Sequence, residues 1–316
     1  MNFQALLSII LTLFLLLICG YFCRKTGIID TTASKKLSRL ILSVGQPMLI
    51  VASLNNAEYS KENLDLAWKV TLLGFVLHAV VAVGAYWLCR IVKRNPDKAK
   101  IFEFSLVFGN CGFIGFPILD SLLGEGVGSF LGAFFVISFH LFFWTWGILI
   151  FARDREDIRL TPKKILLNFG TVPCAIGVVL YLLKPLFVLP DFVGNFMGYL
   201  GSLCTPISVL VTGALLATIS LKQMFSNWKL YLHSLLKLIL MPVGVCVLAK
   251  LCGLSPILIQ LATAMTAVPC AASVTMLAEL YDIEPGYASQ TVGMTSIFCT
   301  ATLPAVMLLA QWVIAL

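Results

Sequence analysis

Phe108-Gly109-Asn110-Cys111-Gly112-Phe113-Ile114-Gly115-Phe116-Pro117 is the stretch on which the fold turns. It lies inside a long apolar run, yet three glycines and a proline within nine residues make a poor continuous helix. Proline removes a backbone hydrogen bond and clashes with the preceding turn. Broken backbone inside a membrane is tolerated only where it is buried in protein or lines a cavity. The second half of the chain has a counterpart, Thr266-Ala267-Val268-Pro269-Cys270-Ala271-Ala272-Ser273. Two interrupted apolar segments at matching positions point to a binding site near the bilayer midplane. A pair of proline kinks, with glycines for close packing, is the competing reading.

The rest of the chain fits a membrane setting. Of 316 residues, 59% are apolar and 12% charged, and the mean hydropathy is +0.97. A soluble domain carries about 25% charged residues, so the polar skin of a globule is missing. That excludes a soluble enzyme, a nucleic-acid binder and a secreted disulfide module. The ten cysteines contain no CxxC pair, and Cys19, Cys174, Cys246 and Cys299 sit in apolar segments. They read as small packing residues rather than bridges or metal ligands. No HExxH, GxSxG or phosphate loop is present, and Gly124-Glu125-Gly126-Val127-Gly128 misses the dinucleotide fingerprint. Neither enzymatic activity nor a cofactor is expected.

A spanning helix needs roughly 20 mostly apolar residues. Ten windows qualify: 5–23, 37–54, 66–91, 100–123, 127–151, 165–187, 192–219, 228–252, 256–280 and 286–315. The first has no basic region before it and is followed by Arg24 and Lys25, which marks a spanning helix and not a cleaved signal. The halves match at offsets of 158 to 160. Pro47 pairs with Pro206, Trp68-Lys69 with Trp228-Lys229, Arg24 with Lys184, and LDSLLGEGVG with LAELYDIEPG. Five spans per repeat is an odd number, so the second repeat (156–316) enters the membrane inverted relative to the first (1–155).

Even span number puts both termini on one side. Arg24, Lys25, Lys35, Lys36 and Arg39 share a side with Arg90, Lys93, Arg94, Lys98 and Lys100. Arg153, Arg155, Arg159, Lys163, Lys164, Lys222 and Lys229 fall there too, making 17 basic residues. Lys61, Lys69, Lys184 and Lys250 face the other side. The positive-inside rule then puts both termini outside a cell membrane.

Certain runs are also familiar. Gly20-Tyr21-Phe22-Cys23-Arg24-Lys25-Thr26-Gly27-Ile28-Ile29-Asp30, then Lys36-Leu37-Ser38 and Pro47-Met48-Leu49-Ile50, resemble the opening of the auxin efflux carrier family. Gly109-Asn110-Cys111-Gly112-Phe113 with Pro117 resembles its fourth-span signature, with Cys111 where threonine is commoner. Pro269 through Ala278-Glu279-Leu280-Tyr281 resembles its ninth span. The resemblance covers essentially the whole chain. It implies an all-α fold of ten helices in which broken spans 4 and 9 cross, shared with sodium/bile-acid symporters. It implies transport of organic anions, auxin in plants and malate, malonate and similar carboxylates in bacteria. It further implies a scaffold of spans 1, 2, 6 and 7, a transport unit of spans 3–5 and 8–10, and an Asn110 that touches the substrate carboxylate.

Elementary chemistry supports that role for Asn110. An amide at a helix break can donate to a carboxylate, and half-helix N-termini add free N–H groups and a positive dipole end. The alternative is that Asn110 satisfies backbone groups freed by the break. Gly112 permits close approach of a ligand to the backbone, and Pro117, Pro269 and Ser273 belong to the same two breaks. Ser43 and Gln46 flank Pro47, and Ser208, with Thr205 and Thr212, surrounds Pro206. Such side chains also bond across helices for purely structural reasons.

His140 and His78 are candidates for a coupling proton or packing histidines. Lys237 costs about 2.5–3.5 kcal/mol to place mid-membrane; it either attracts an anion or snorkels to the surface. Glu103 and Glu279 fall near span ends. Neither break holds a carboxylate, which favours potential-driven uniport or proton coupling over sodium coupling. The expectation is a secondary carrier of small organic anions working by alternating access, with the bilayer and substrate as partners and a homodimer left open. The rivals are a sodium-coupled symporter and a non-transporting membrane sensor or assembly protein.

Overall fold

A computed structural model describes residues 3–57, 59–91, 95–155, 167–168 and 170–316. The chain forms α1 (Phe3–Lys25), α2 (Thr31–Asn56), α3 (Lys61–Ile91), α4 (Pro96–Val107), α5 (Cys111–Leu123) and α6 (Val127–Ala152). There follow α7 (Thr171–Leu183), α8 (Asp191–Leu216), α9 (Leu221–Ser226) and α10 (Trp228–Leu251). The last are α11 (Pro256–Ala267), α12 (Ser273–Leu280) and α13 (Pro285–Ala315). Short polar side chains start several of them. Asp30 accepts from the Ala33 N–H, Asn95 from Asp97 and Asn227 from Lys229, each satisfying a donor that lacks an intrahelical partner.

Seven helices among the described residues, namely α1, α2, α3, α6, α8, α10 and α13, are long and apolar enough to cross a membrane. The chain is an all-helical polytopic membrane protein. The other three expected spans are represented by shorter apolar pieces, for identifiable reasons. Span 4 is divided into α4 and α5, and span 9 into α11 and α12, by the two breaks. Span 6 shows the thirteen residues of α7, and its expected start lies outside the described residues. So do Lys93, Arg94, Arg159, Lys163 and Lys164, which carry part of the charge count, and the expected repeat boundary.

Three prolines shape the helices upstream of them. The Gln46 N–H donates to the Ile41 carbonyl, Gly115 to Asn110, and Met241 to Leu236, each bond spanning five residues instead of four. Pro47, Pro117 and Pro242 follow within two residues. The wider turn draws a carbonyl away from the proline ring that would otherwise clash with it. A fourth such turn, Phe143–Gly147, has no proline after it.

Packing uses small residues where backbones meet. A Cβ on Gly20 of α1 would overlap the backbone of Leu210, and one on Gly213 of α8 would overlap that of Leu17. These helices therefore touch main chain to main chain, as small residues allow in membranes. Elsewhere aromatic rings fill the core. Phe108 meets Phe104 at a tilt and Phe139 and Phe143 edge-on, with ring centroids 4.6, 5.5 and 5.5 Å away, fixing the first break against α6. Glu103 of α4, placed by sequence near a span end, is wholly buried. It accepts two bonds from Arg153, at 2.8 and 3.1 Å, beyond the end of α6.

Candidate functional site

The two breaks meet. Phe108–Asn110 and Val268–Ala272 leave the helical path, and Gly109 pairs with Cys270 in a short antiparallel bridge. Asn110 donates its N–H to the Pro269 carbonyl at 2.8 Å, and Ala271 donates to the Phe108 carbonyl at 3.0 Å. Among the described residues this is the sole extended pairing. It fits here because Gly109 has no side chain: a Cβ would stand 2.8 Å from Val268 Cγ2.

Four broken ends must satisfy their backbone groups, since an orphaned carbonyl in hydrocarbon costs several kcal/mol, roughly. The ends of α4 and α11 do so with side chains, three of them from the opposite half. Cys270 Sγ donates to the Ser105 carbonyl and Cys111 Sγ to the Met265 carbonyl, both at 3.4 Å. Lys237 Nζ donates to the Leu106 carbonyl at 3.0 Å, and Cys299 Sγ to that of Ala267 at 3.7 Å. Cys111 and Cys270 thus act as reciprocal caps. Sequence reading assigned cysteines to packing; that these two lie 159 apart, the repeat offset, was the available signal.

Asn110 takes no part in that accounting through its side chain. The residue is 6% exposed, and its carboxamide makes no hydrogen bond among the described residues. Its backbone carbonyl accepts instead from Ile114 and Gly115. The freed backbone groups are therefore satisfied by thiols, an amine, main chain and the Thr295 hydroxyl, which accepts from the Cys270 N–H at 3.2 Å, and the carboxamide is left for something else.

Three neighbouring helices each send one polar side chain to the first break. From α2, Gln46 Nε2 stands 3.6 Å from the point a Gly112 Cβ would occupy. From α8, Thr205 Oγ1 donates to the Phe113 carbonyl at 3.1 Å. From α10, Lys237 Nζ is 3.3 Å from the Cβ point of Gly109. Lys237 is 1% exposed, so it does not snorkel.

The remaining candidates divide. His140 of α6 joins the cluster, its Nε2 lying 3.3 Å from Gln46 Nε2. His78 stays apart: its Nδ1 bonds the Gly74 carbonyl at 2.7 Å, and Phe108, Phe135, Phe139 and Phe142 ring it. Ser208 turns its hydroxyl back to the Thr205 carbonyl of its own helix at 3.0 Å, so Thr205 is the α8 hydroxyl that reaches the break. Ser43 is half-buried in the widened turn of α2, Pro117 is half-buried at the second residue of its α-helical segment, and Ser273 opens α12. Pro269 is buried and borders an apolar cleft with Leu13, Leu17, Ile114 and Ser296. The Glu279 side chain lies outside what the structure describes.

The chain is similar in sequence to known proteins. Residues 5–167 and 158–307 match the family model described as membrane transport protein. An uncharacterized transporter of Methanocaldococcus jannaschii is 22% identical over 303 residues, covering 92% of this chain and 94% of that one. Another, from Methanothermobacter thermautotrophicus, is 22% identical over 309 residues, covering 96% and 98%.

Proposed function

The chain belongs to the membrane transport protein family, and from that premise we propose that it carries small organic anions, carboxylates among them. The observation that carries the reading is the Asn110 carboxamide, enclosed at the paired breaks with no protein partner among the described residues. A carboxylate there would accept from the amide while the first turns of α5 and α12 present N–H groups and the positive ends of their dipoles. Gly112 leaves room beside Gln46 for an anion to approach the backbone.

In this reading the chain crosses the membrane ten times, as two inverted repeats spanning 1–155 and 156–316. The breaks then lie at the midplane, with both termini outside the cell membrane. The reciprocal thiol caps and the mutual backbone bonds at the crossing are what two related halves would build. Alternating access would move α3–α6 and α10–α13 against α1, α2, α7 and α8.

The test is flux into proteoliposomes under an imposed potassium diffusion potential at symmetric pH. Potential-driven uniport of a monovalent anion predicts flux that follows the sign of the potential. At about 2.3 kcal/mol per charge per 100 mV, an inside-negative cell sustains an outward anion ratio of roughly 50. Electroneutral flux that follows a pH gradient moves the assignment to proton coupling, with His140 before His78 because it lies beside the break. No carboxylate flux under either gradient overturns the carrier reading.

A further inference from the structure

Lys237 is an amine built into the interior, and the groups around it are of the kind that hold a cation. It sits in the widened turn Leu236–Leu240 of α10. Its Nζ donates to the Leu106 carbonyl in the last turn of α4. The Met265 carbonyl, near the end of α11, lies 3.6 Å from the Gly109 Cβ point, which itself is 3.3 Å from Nζ. The ammonium therefore stands where the C-terminal ends of two half-helices converge, each the negative end of a dipole. Polar groups around this place include the thiols of Cys111, Cys270 and Cys299, the Thr295 hydroxyl bonded to the Cys270 N–H, and His233 Nε2, 3.3 Å behind Cys270 Sγ. The nearest carboxylate on α4, Glu103, is held by Arg153.

In carriers built on broken helices, unwound carbonyls and half-helix C-termini coordinate the coupling cation. Here one carbonyl of that kind is bonded to a side chain that cannot leave. We propose that the Lys237 ammonium is a resident cation of this carrier: it supplies the positive charge at the crossing that a dissociable sodium ion would otherwise bring. Substrate binding then needs no sodium. The proposal rests on the carrier reading above and assigns its ion requirement.

A bare hydrogen-bonding role is separable from a charge role. Lys237→Gln keeps a donor for the Leu106 carbonyl and removes the charge. Lys237→Ala removes both and leaves space for a small cation from solution. Uptake of radiolabelled mono- and dicarboxylates is measured in proteoliposomes of each variant, with sodium, choline or methylammonium as the external cation.

Wild-type uptake is expected to be equal in sodium and choline. Both variants should fall by about tenfold or more in choline, the loss of a charge-assisted contact. Lys237→Ala should regain several-fold of its rate with methylammonium or sodium. Wild-type uptake that requires sodium overturns the proposal alone, and it needs no variant. Lys237→Gln at the wild-type rate overturns it too, as does a monodisperse Lys237→Ala that no small cation rescues. Wild-type vesicles inert in every cation overturn the carrier reading and the proposal together.

Discussion

Gln46 and His140 meet at 3.3 Å, Nε2 to Nε2, joining α2 to α6 beside the first break. Gln46 also faces Gly112, so one carboxamide lies beside both the histidine and the first turn of α5 that the substrate is proposed to approach. A hydrogen bond of this kind contributes about 0.5–1.5 kcal/mol net. Gln46→Ala and His140→Ala should therefore couple by about that much in a double-mutant cycle on substrate affinity. His78→Ala, whose ring reaches His140 through the shared Phe139, should couple to either one more weakly than they couple to each other. Independent effects of Gln46 and His140 would show that the contact is incidental to binding.

Asn110→Ala should weaken carboxylate binding by roughly tenfold to a hundredfold, the worth of a hydrogen bond to a charged group. Folding should be spared, because the carboxamide bonds nothing in the protein among the described residues. Calorimetric titration of the purified variant checks the first point and its thermal midpoint the second. Unchanged affinity ends the contact role; a collapsed midpoint means the side chain is structural after all.

Two glycines of the same break should respond differently to alanine. At Gly109 the new methyl meets Val268 Cγ2 at 2.8 Å, inside the bridge to Cys270. Overpacking of that sort costs about 1–3 kcal/mol. Gly112→Ala meets Gln46 Nε2 at an ordinary 3.6 Å. Thermal unfolding in detergent should thus rank Gly109→Ala well below Gly112→Ala, while substrate affinity suffers at both.

The Glu103–Arg153 pair should hold α4 to the end of α6. Arg153→Ala leaves a carboxylate with 0% exposure unpaired, a situation that costs about 3–5 kcal/mol in buried pairs. Because the Arg153 side chain is 38% exposed, the lower end applies. Glu103→Gln, which buries no charge, should be milder. Equal midpoints for Arg153→Ala and wild type would mean that water reaches Glu103.

Orientation can be read by labelling. With exposed Cys19 and Cys252 replaced, a cysteine at exposed Asn56 should react with an impermeant maleimide on intact cells. One at exposed Asn95 should react only after permeabilisation. The opposite pattern reverses the assignment of sides.

Sequence reading located both breaks because glycine and proline act on their own backbone, and that effect is local. Gly112 lies in the first of them for the same reason, whereas Asn110 was singled out by the family resemblance. Sequence alone did not separate Thr205 from Ser208, since both lie on the same face of α8 and only packing decides which hydroxyl reaches Phe113. Lys237 was ambiguous because nine residues of depth suit burial or snorkelling equally. Its direction depends on the widened turn before Pro242, a departure from helical phase that a fixed period of 3.6 residues does not describe. Thiols as caps were invisible for a related reason. Their acceptors, Met265 and Ser105, are about 150 residues or more away in the chain.

The widened turn in α10 has a consequence for phase. A turn closed over five residues holds one residue more than an ordinary helical turn, so it is an insertion absorbed without a loop. Each residue of a regular helix advances the side chains by about 100°. Deleting Ile239 would let α10 run as an unbroken helix with its composition almost unchanged. The segment beyond Met241 packs on α11, so the swing would fall on the stretch from Trp228 to Lys237. The ammonium would then point a quarter-turn or more away from Leu106 and Gly109. What places the Lys237 amine at the paired breaks is thus a single surplus residue in the helix as much as the lysine itself.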